Sequence, residues 1–120
     1  MHKVEDLLIW KKSIELAKDI YILSTKISND EKFGIISQIK RCSISIPSNI
    51  GEGAGRNSNN EFKHFLGRAN GSCYELQTQL ILIKKLNLSD DILEIDILIE
   101  KYRNSKNDFL LQIQDLTSQY

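Results

Sequence analysis

Apolar residues recur along this chain at alternating spacings of three and four, which is the repeat of an amphipathic α-helix. The first helix is predicted from about Glu5 to Ile27. Its predicted stripe consists of Leu7, Trp10, Ile14, Ala17, Tyr21 and Ser24, widened by Leu16, Ile20, Leu23 and Ile27. A stripe of this width is broader than a coiled-coil seam and predicts a helix within a globular bundle.

Three further helices follow, each after a polar start signal. Ser28–Glu31 and Ser58–Glu61 fit capping boxes that open the second and third helices. Ser89 is predicted to cap the fourth, with Asp90 and Asp91 in a first turn where the helix dipole favours negative charge. The predicted buried faces are Ile36, Ile39, Ser43, Ile46 and Ile50, then Phe62, Leu66, Ala69, Cys73, Leu76, Leu80 and Ile83, then Ile95, Ile99, Tyr102, Phe109, Ile113 and Leu116.

Long helices joined by short turns place sequence neighbours antiparallel. The predicted fold class is therefore all-α, an antiparallel up-down-up-down four-helix bundle formed by a single domain of residues 1–120. The alternative is a helical protomer that opens in order to assemble with copies of itself.

Pro47, the only proline, falls inside the second helical pattern. Proline removes a backbone donor and clashes with the preceding turn, at a cost of about 3 kcal/mol, and it leaves the Ser43 carbonyl without its helical donor. We expect a kink in the second helix at Pro47. The alternative is a polar site at the bend that presents Asn49 and Glu52 to a ligand.

Small residues are predicted to meet across the hairpin of the second and third helices, with Ser43 level with Gly71, Ser45 with Ala69 and Cys42 with Ser72. Gly67 and Gly71 each cost about 1 kcal/mol in a helix interior. A close approach of the two backbones would explain both glycines, because the packing contacts between the helices would offset this cost in helix propensity.

Composition and charge restrict the class of protein. The 120 residues are 41% hydrophobic and 27% charged, which is enough apolar material for a core. No run approaches the roughly 18 apolar residues of a membrane span, the acidic N-terminus argues against a signal peptide, and two cysteines are too few for a disulfide framework. We therefore expect a reduced, cytoplasmic protein. The formal net charge is zero, but residues 1–86 hold thirteen Lys/Arg against nine Asp/Glu, and residues 87–120 hold three against seven.

The candidate chemistry is sparse. Cys42, Cys73 and His64 lack the paired short spacings of metal ligands, and nothing places His2 or His64 beside a nucleophile with an orienting carboxylate. The glycines of Gly51–Arg56 have neither the spacing nor the preceding strand of a phosphate-binding loop. No catalytic residue, metal site or cofactor is predicted, and the protein is expected not to be an enzyme.

Basic residues on the second and third helices are the candidate nucleic-acid contacts. They are Lys40, Arg41, Arg56, Lys63 and Arg68. Clustered charge suffices for contact with an RNA or DNA backbone, whereas charges on helix surfaces are commonly only solvated. Arg41 and Glu75 are also predicted within about one turn of each other, as an ion pair that fixes helix register.

A set of motifs in order along the chain resembles a known family. The matching residues are Asp6-Leu7, Trp10, Gln38-Ile39-Lys40-Arg41, Ser45-Ile46-Pro47-Ser48-Asn49-Ile50-Gly51-Glu52-Gly53, Gly55-Arg56, Glu61-Phe62, Phe65-Leu66, Ala69, Gly71-Ser72 and Glu75-Leu76. The set is similar to the bacterial four-helix-bundle proteins known as ribosomal S23-like proteins, encoded in intervening sequences of 23S rRNA genes. The accessory protein of diversity-generating retroelements is a relative. Gly51 stands where the family usually has alanine.

The resemblance implies a bundle that assembles into a ring-like homopentamer and has no catalytic residues. For the retroelement relative it implies binding to nucleic acid and to a reverse transcriptase. The functional hypothesis is an oligomeric protein that binds RNA or other nucleic acid through the basic surface. The alternative is a structural or protein-interaction module without direct nucleic-acid binding.

Overall fold

The structure, a computed structural model, describes residues 2–118, so Met1 and residues 119–120 of the predicted domain lie outside the described part. Within it there are four α-helices and no strand: α1 Leu8–Ser24, α2 Ser37–Ala54, α3 Asn59–Lys85 and α4 Ile92–Ser118. The prediction of an all-α protein with four helices is confirmed. None of these helices is long and apolar enough to cross a membrane.

Sequence neighbours run antiparallel, and ion pairs between the first and last helices close the arrangement. At one end Lys12 Nζ lies 3.3 Å from Asp108 Oδ2, and at the other Lys26 Nζ lies 2.7 Å from Asp91 Oδ2. α1 packs on α2, α2 on α3, and α3 on α4, while α1 and α4 touch less closely along a groove. The core therefore lies along the central axis of four helices.

The buried face of α1 differs from the prediction. Ile14 and Tyr21, assigned to the main stripe, are each 40% exposed. The core instead takes Ile9, Ser13, Leu16, Ile20, Leu23 and Ser24. Two apolar stripes of similar strength share this helix, and the one predicted to widen the face is the one that is buried in the core. Periodicity alone does not decide between such stripes, because the choice depends on the neighbouring helices.

The predicted faces of α2, α3 and α4 are confirmed. All five stripe residues of α2 and all seven of α3 are buried. In α4, Ile113 is half-buried and the other five predicted residues are buried. Leu98, placed outside the stripe by the sequence pattern, is also fully buried.

The segment between α1 and α2 is irregular, and the capping box predicted there is wrong. Ser28 Oγ accepts a hydrogen bond from Asp30 N at 3.3 Å, but only a 3-10 turn, Asn29–Glu31, follows. A π-helical turn, Lys32–Ile36, comes next, with a non-helical Gly34 inside it (φ −102°, ψ −112°). The second helix therefore begins at Ser37, later than the sequence predicts.

The capping box at α3 does form its predicted bond, since Ser58 Oγ accepts from Glu61 N at 3.1 Å. α3 ends in a Schellman motif. Asn87 has φ 53°, and Leu88 N donates to Ile83 O at 3.1 Å. The polar stretch after α3 therefore ends the helix as predicted.

The cap of α4 is Asp91, and the prediction of Ser89 is wrong. Asp91 Oδ1 accepts from Glu94 N at 3.2 Å, three residues into the helix. Ser89 Oγ accepts instead from Asp91 N at 3.2 Å and holds the turn that leads to the cap. Both residue types are good caps, so the sequence alone offers two starts.

Candidate nucleic-acid interface

Small side chains join α2 to α3, the two helices that carry the candidate basic surface. Cys42 Sγ donates to Ser72 O at 3.1 Å, which confirms the predicted level of these two residues. The hydroxyls of Ser45 and Ser72 lie 2.6 Å apart. These polar contacts fix the register of the two helices and so position the cations on either side of the joint.

Glycine matters at this joint, but at Gly53 and not where it was predicted. A β-carbon on Gly53 would stand 2.7 Å from Cβ of Phe65 and 3.0 Å from Cδ1 of Phe62. Gly67 and Gly71 are exposed, and a β-carbon on either would meet no atom within 4 Å. The explanation of these two glycines by close approach across the hairpin is therefore wrong.

Two of the five predicted basic residues converge on one aromatic ring. Arg56 Cζ lies 5.0 Å and Arg68 Cζ 5.7 Å from the ring centroid of Phe65. Both arginines are exposed, while Phe65 is 8% exposed. Sequence reasoning assigned Phe65 to packing, which is correct, but missed that two guanidinium groups lie within cation–π distance of its ring.

Arg41 lies farther along the same side of the α2–α3 pair. It lines a small cleft with Gln38, Cys42, Ser45 and Glu75. Arg41 and Glu75 are both exposed, and no ion pair joins them. The two residues lie near each other as predicted, but the predicted ion pair is wrong, and the small side chains at the joint set the register instead.

Lys40 and Lys63 lie away from these three arginines. Lys40 Nζ sits 5.1 Å from the ring centroid of Tyr21, so this side chain turns toward α1. Lys63 is half-buried and lies about 140° around the α3 axis from Arg68 at 3.6 residues per turn. The structure thus brings together Arg56 and Arg68, places Arg41 on the same side, and leaves the two lysines at the flanks.

Acidic neutralisation of these cations is slight. Arg56 Nη2 pairs with Glu52 Oε1 at 3.1 Å on an exposed surface. Among the described residues, none of the other four predicted cations has a carboxylate within 4.0 Å. The zero net charge of the chain therefore coexists with locally uncompensated positive charge on α2 and α3.

The cysteines and histidines form no reactive centre within residues 2–118. Burial, with the charge of Glu75 second, raises the pKa of Cys42 to about 12, and burial raises that of Cys73 to about 12. Both thiols are therefore protonated and weakly nucleophilic at neutral pH. His2 packs against Phe62 and His64 against Phe65. No group of three His, Cys, Asp or Glu side chains in the described part could hold a metal ion.

Comparison with known proteins agrees with the architecture and with the order of motifs. The family model described as 23S rRNA-intervening sequence protein matches residues 5–109, which is most of the chain. No curated protein sequence matches. The match begins just before α1 and ends within α4 at Phe109, so it includes every residue of the α2–α3 surface. The chain therefore belongs to the 23S rRNA-intervening sequence protein family.

Proposed function

We propose that this protein is a non-enzymatic, self-assembling helical bundle that binds RNA through the α2–α3 surface. Arg41, Arg56 and Arg68 are its central contacts, with Lys40 and Lys63 at the flanks. The observation that carries the proposal is the pair of exposed guanidinium groups over Phe65. Arg41, on the same side and without a carboxylate within 4.0 Å among the described residues, adds a third positive group suited to a phosphate backbone.

The acidic groups on this surface, Glu52 and Glu75, do not oppose the proposal strongly, because only Glu52 forms an ion pair there among the described residues. An exposed ion pair such as Arg56–Glu52 contributes about 0–1 kcal/mol. A guanidinium group binds a phosphate in a bidentate manner, with charge-assisted hydrogen bonds. A backbone phosphate can therefore compete with Glu52 for Arg56.

The test is RNA binding as a function of salt concentration. We expect saturable binding at about 50 mM salt, with affinity that falls steeply as salt rises. Arg68→Gln should reduce the slope of log K against log salt by about one, because one phosphate contact is lost. Lys18→Gln, on an exposed part of α1, is the matched control and should leave the slope unchanged. Absence of binding at low salt would refute the proposal.

Self-assembly is supported by apolar side chains that remain exposed on the bundle. On α4 they are Ile92, Leu93, Ile97, Leu110 and Leu111, with exposures of 47%, 73%, 40%, 52% and 58%. Large exposed apolar patches mark interfaces between chains. We propose a homo-oligomer, specifically a ring-like homopentamer, and light scattering that gives a monomer mass at micromolar concentration would exclude it.

We also propose that α2 bends at Pro47. α2 continues through Pro47 without a break in its helical assignment. Two features favour a bend: the missing proline N–H, and the Asn49 side chain, whose Nδ2 donates to Ser45 O at 2.7 Å. An experimental structure with a straight α2 axis would contradict this part.

A second candidate is a protein-interaction module without direct nucleic-acid contact. The same exposed apolar side chains of α4 favour it, since a protein partner such as a reverse transcriptase would bury them. A stable complex with such a partner that forms equally well with Arg68→Gln, together with no RNA binding, would favour this candidate over the first.

A further inference from the structure

A cleft between α3 and α4, on a different side of the bundle from the basic surface, has the composition of a small-ligand site. Its volume is about 190 Å³. Asn70, Tyr74 and Gln77 line it from α3, and Tyr102, Arg103 and Lys106 line it from α4. Residues four and three apart along a helix share one face. The two amides therefore flank the Tyr74 ring along a single row.

Two buried polar atoms on residues that line this cleft have no hydrogen-bond partner within residues 2–118. They are Asn70 Oδ1 and Tyr102 Oη. An unpartnered buried polar atom costs about as much as a lost hydrogen bond, so such atoms are rare without a functional reason. Burial raises the pKa of Tyr102, so its phenol keeps its proton at neutral pH. Two residues that line the cleft thus carry an unused acceptor, on Asn70, and an unused donor, on Tyr102.

The mouth of the cleft combines an aromatic face with positive charge. Tyr74 is 46% exposed. Lys106 Nζ lies 5.9 Å from the centroid of its ring, at the outer limit of a cation–π contact, and has no carboxylate within 4.0 Å in the described part of the chain. Arg103 is held by Glu100 at 2.8 Å. The Lys106 ammonium, which has no carboxylate partner among the described residues, can turn toward a phosphate attached to a group that stacks on the Tyr74 ring.

We infer that this cleft takes a single unstacked nucleobase, with its edge against the amides of Asn70 and Gln77, its face on Tyr74 and its phosphate near Lys106. An amide presents a donor and an acceptor together, which matches the edge of a base. Single-stranded RNA is commonly recognised by stacking of splayed bases on aromatic rings and by hydrogen bonds to their edges. The inference deepens the proposed function and rests on it where RNA is the source of the base.

The first experiment uses the intact protein and free nucleotides. Titration with each of the four nucleoside monophosphates should give saturable binding of at least one and should shift the NMR signal of the Asn70 side-chain amide. Tyr74→Ala should weaken that binding about tenfold or more, because base stacking is lost. Tyr74→Phe should retain it, since the ring and not the hydroxyl makes the contact.

Asn70→Ala tests whether the Asn70 amide binds the nucleotide without unfolding the protein. It should weaken nucleotide binding about fivefold through one lost hydrogen bond, while the protein remains folded because alanine is the better helix former. Asn107→Ala is the matched control: it lies on α4, is exposed and does not line the cleft. Equal affinities of Asn70→Ala, Tyr74→Ala and the native protein would overturn the inference.

A second arm uses single-stranded RNA and distinguishes this inference from the proposed function. If RNA binding is lost with Arg68→Gln but is unaffected by Tyr74→Ala, and no mononucleotide binds, the cleft inference fails and the proposed function stands. If RNA does not bind but a mononucleotide binds with the expected dependence on Tyr74, the proposed function fails and the cleft is a free-nucleotide site. A structure at saturating nucleotide that shows only a water on Asn70 Oδ1 would also overturn the inference.

Discussion

Gly53 and Phe65 approach so closely that a β-carbon on the glycine would lie 2.7 Å from Cβ of the phenylalanine. The obstructing atom is next to the backbone of α3 and cannot turn away. We expect Gly53→Ala to destabilise the protein, because overpacking of about 1–3 kcal/mol exceeds the gain of about 1 kcal/mol in helix propensity. Chemical denaturation measures the change in the free energy of unfolding.

Gly51→Ala is the matched control, two residues away on the same helix. A β-carbon there would lie 3.7 Å from Trp10 Nε1 and 3.8 Å from Val4 Cγ2, which is ordinary contact. We expect this variant to be as stable as the native protein or more stable by up to about 1 kcal/mol. Equal effects of the two substitutions would show that the close contact at Gly53 does not limit the packing of α2 on α3.

Gly67 and Gly71 should behave in the opposite way to Gly53. Both are exposed within α3, and a β-carbon on either would contact nothing within 4 Å. We expect Gly67→Ala and Gly71→Ala each to raise the free energy of unfolding by about 0.5–1 kcal/mol. A decrease in either variant, measured by denaturation at fixed protein concentration, would reveal that another surface packs on these glycines.

The contrast between these glycines shows which features of the fold the sequence pattern can predict and which it cannot. The faces of α2 and α3 are predictable, because each helix has a single dominant stripe that must be buried. The rotation of α1 is not, since its two stripes are nearly equal and the neighbours decide. Gly67 and Gly53 look alike in the sequence, and only the distance to Phe65 separates them.

The candidate site was predictable in composition but not in arrangement. The sequence identifies basic residues on two helices, and the structure shows that Arg56 and Arg68 share the Phe65 ring while Lys40 turns to Tyr21. Which side of a helix a surface charge occupies depends on the rotation of that helix in the bundle. Packing of the core residues sets that rotation. The surface residues themselves have no sequence pattern from which the rotation could be predicted.

Alkaline pH should destabilise the protein through its buried thiols. Burial raises the pKa of Cys42 and of Cys73 from 9.0 to about 12. Between these values the unfolded chain loses thiol protons that the folded protein keeps, so stability falls as pH rises, by up to about 1.4 kcal/mol per pH unit for each thiol. Urea denaturation at a series of pH values above about 8 measures the slope.

Cys73→Ala supplies the control for this slope. It removes one of the two thiols, so the decline in stability above pH 9 should become shallower, while Cys42 and the raised pKa of Tyr102 still contribute. Both cysteines should also react slowly with thiol reagents in the native state and rapidly in urea. An unchanged alkaline slope in Cys73→Ala would contradict the assignment of the effect to this thiol.

Acidic pH should act through Asp91. Its hydrogen bond to Lys26, and then the bond it accepts from Glu94 N, hold the pKa of Asp91 below its usual 3.8. The carboxylate therefore stabilises the fold above about pH 3.8, and this contribution is lost as pH falls through the lower folded-state pKa.

Asp91→Asn keeps a capping oxygen but removes the charge. We expect a small loss of stability at neutral pH that disappears in acid and shrinks in high salt, because the pair with Lys26 is partly exposed. Asp90→Asn, next to it and exposed, should show neither dependence. If the two variants have identical pH profiles in urea denaturation, the ion pair at the start of α4 contributes nothing to the fold.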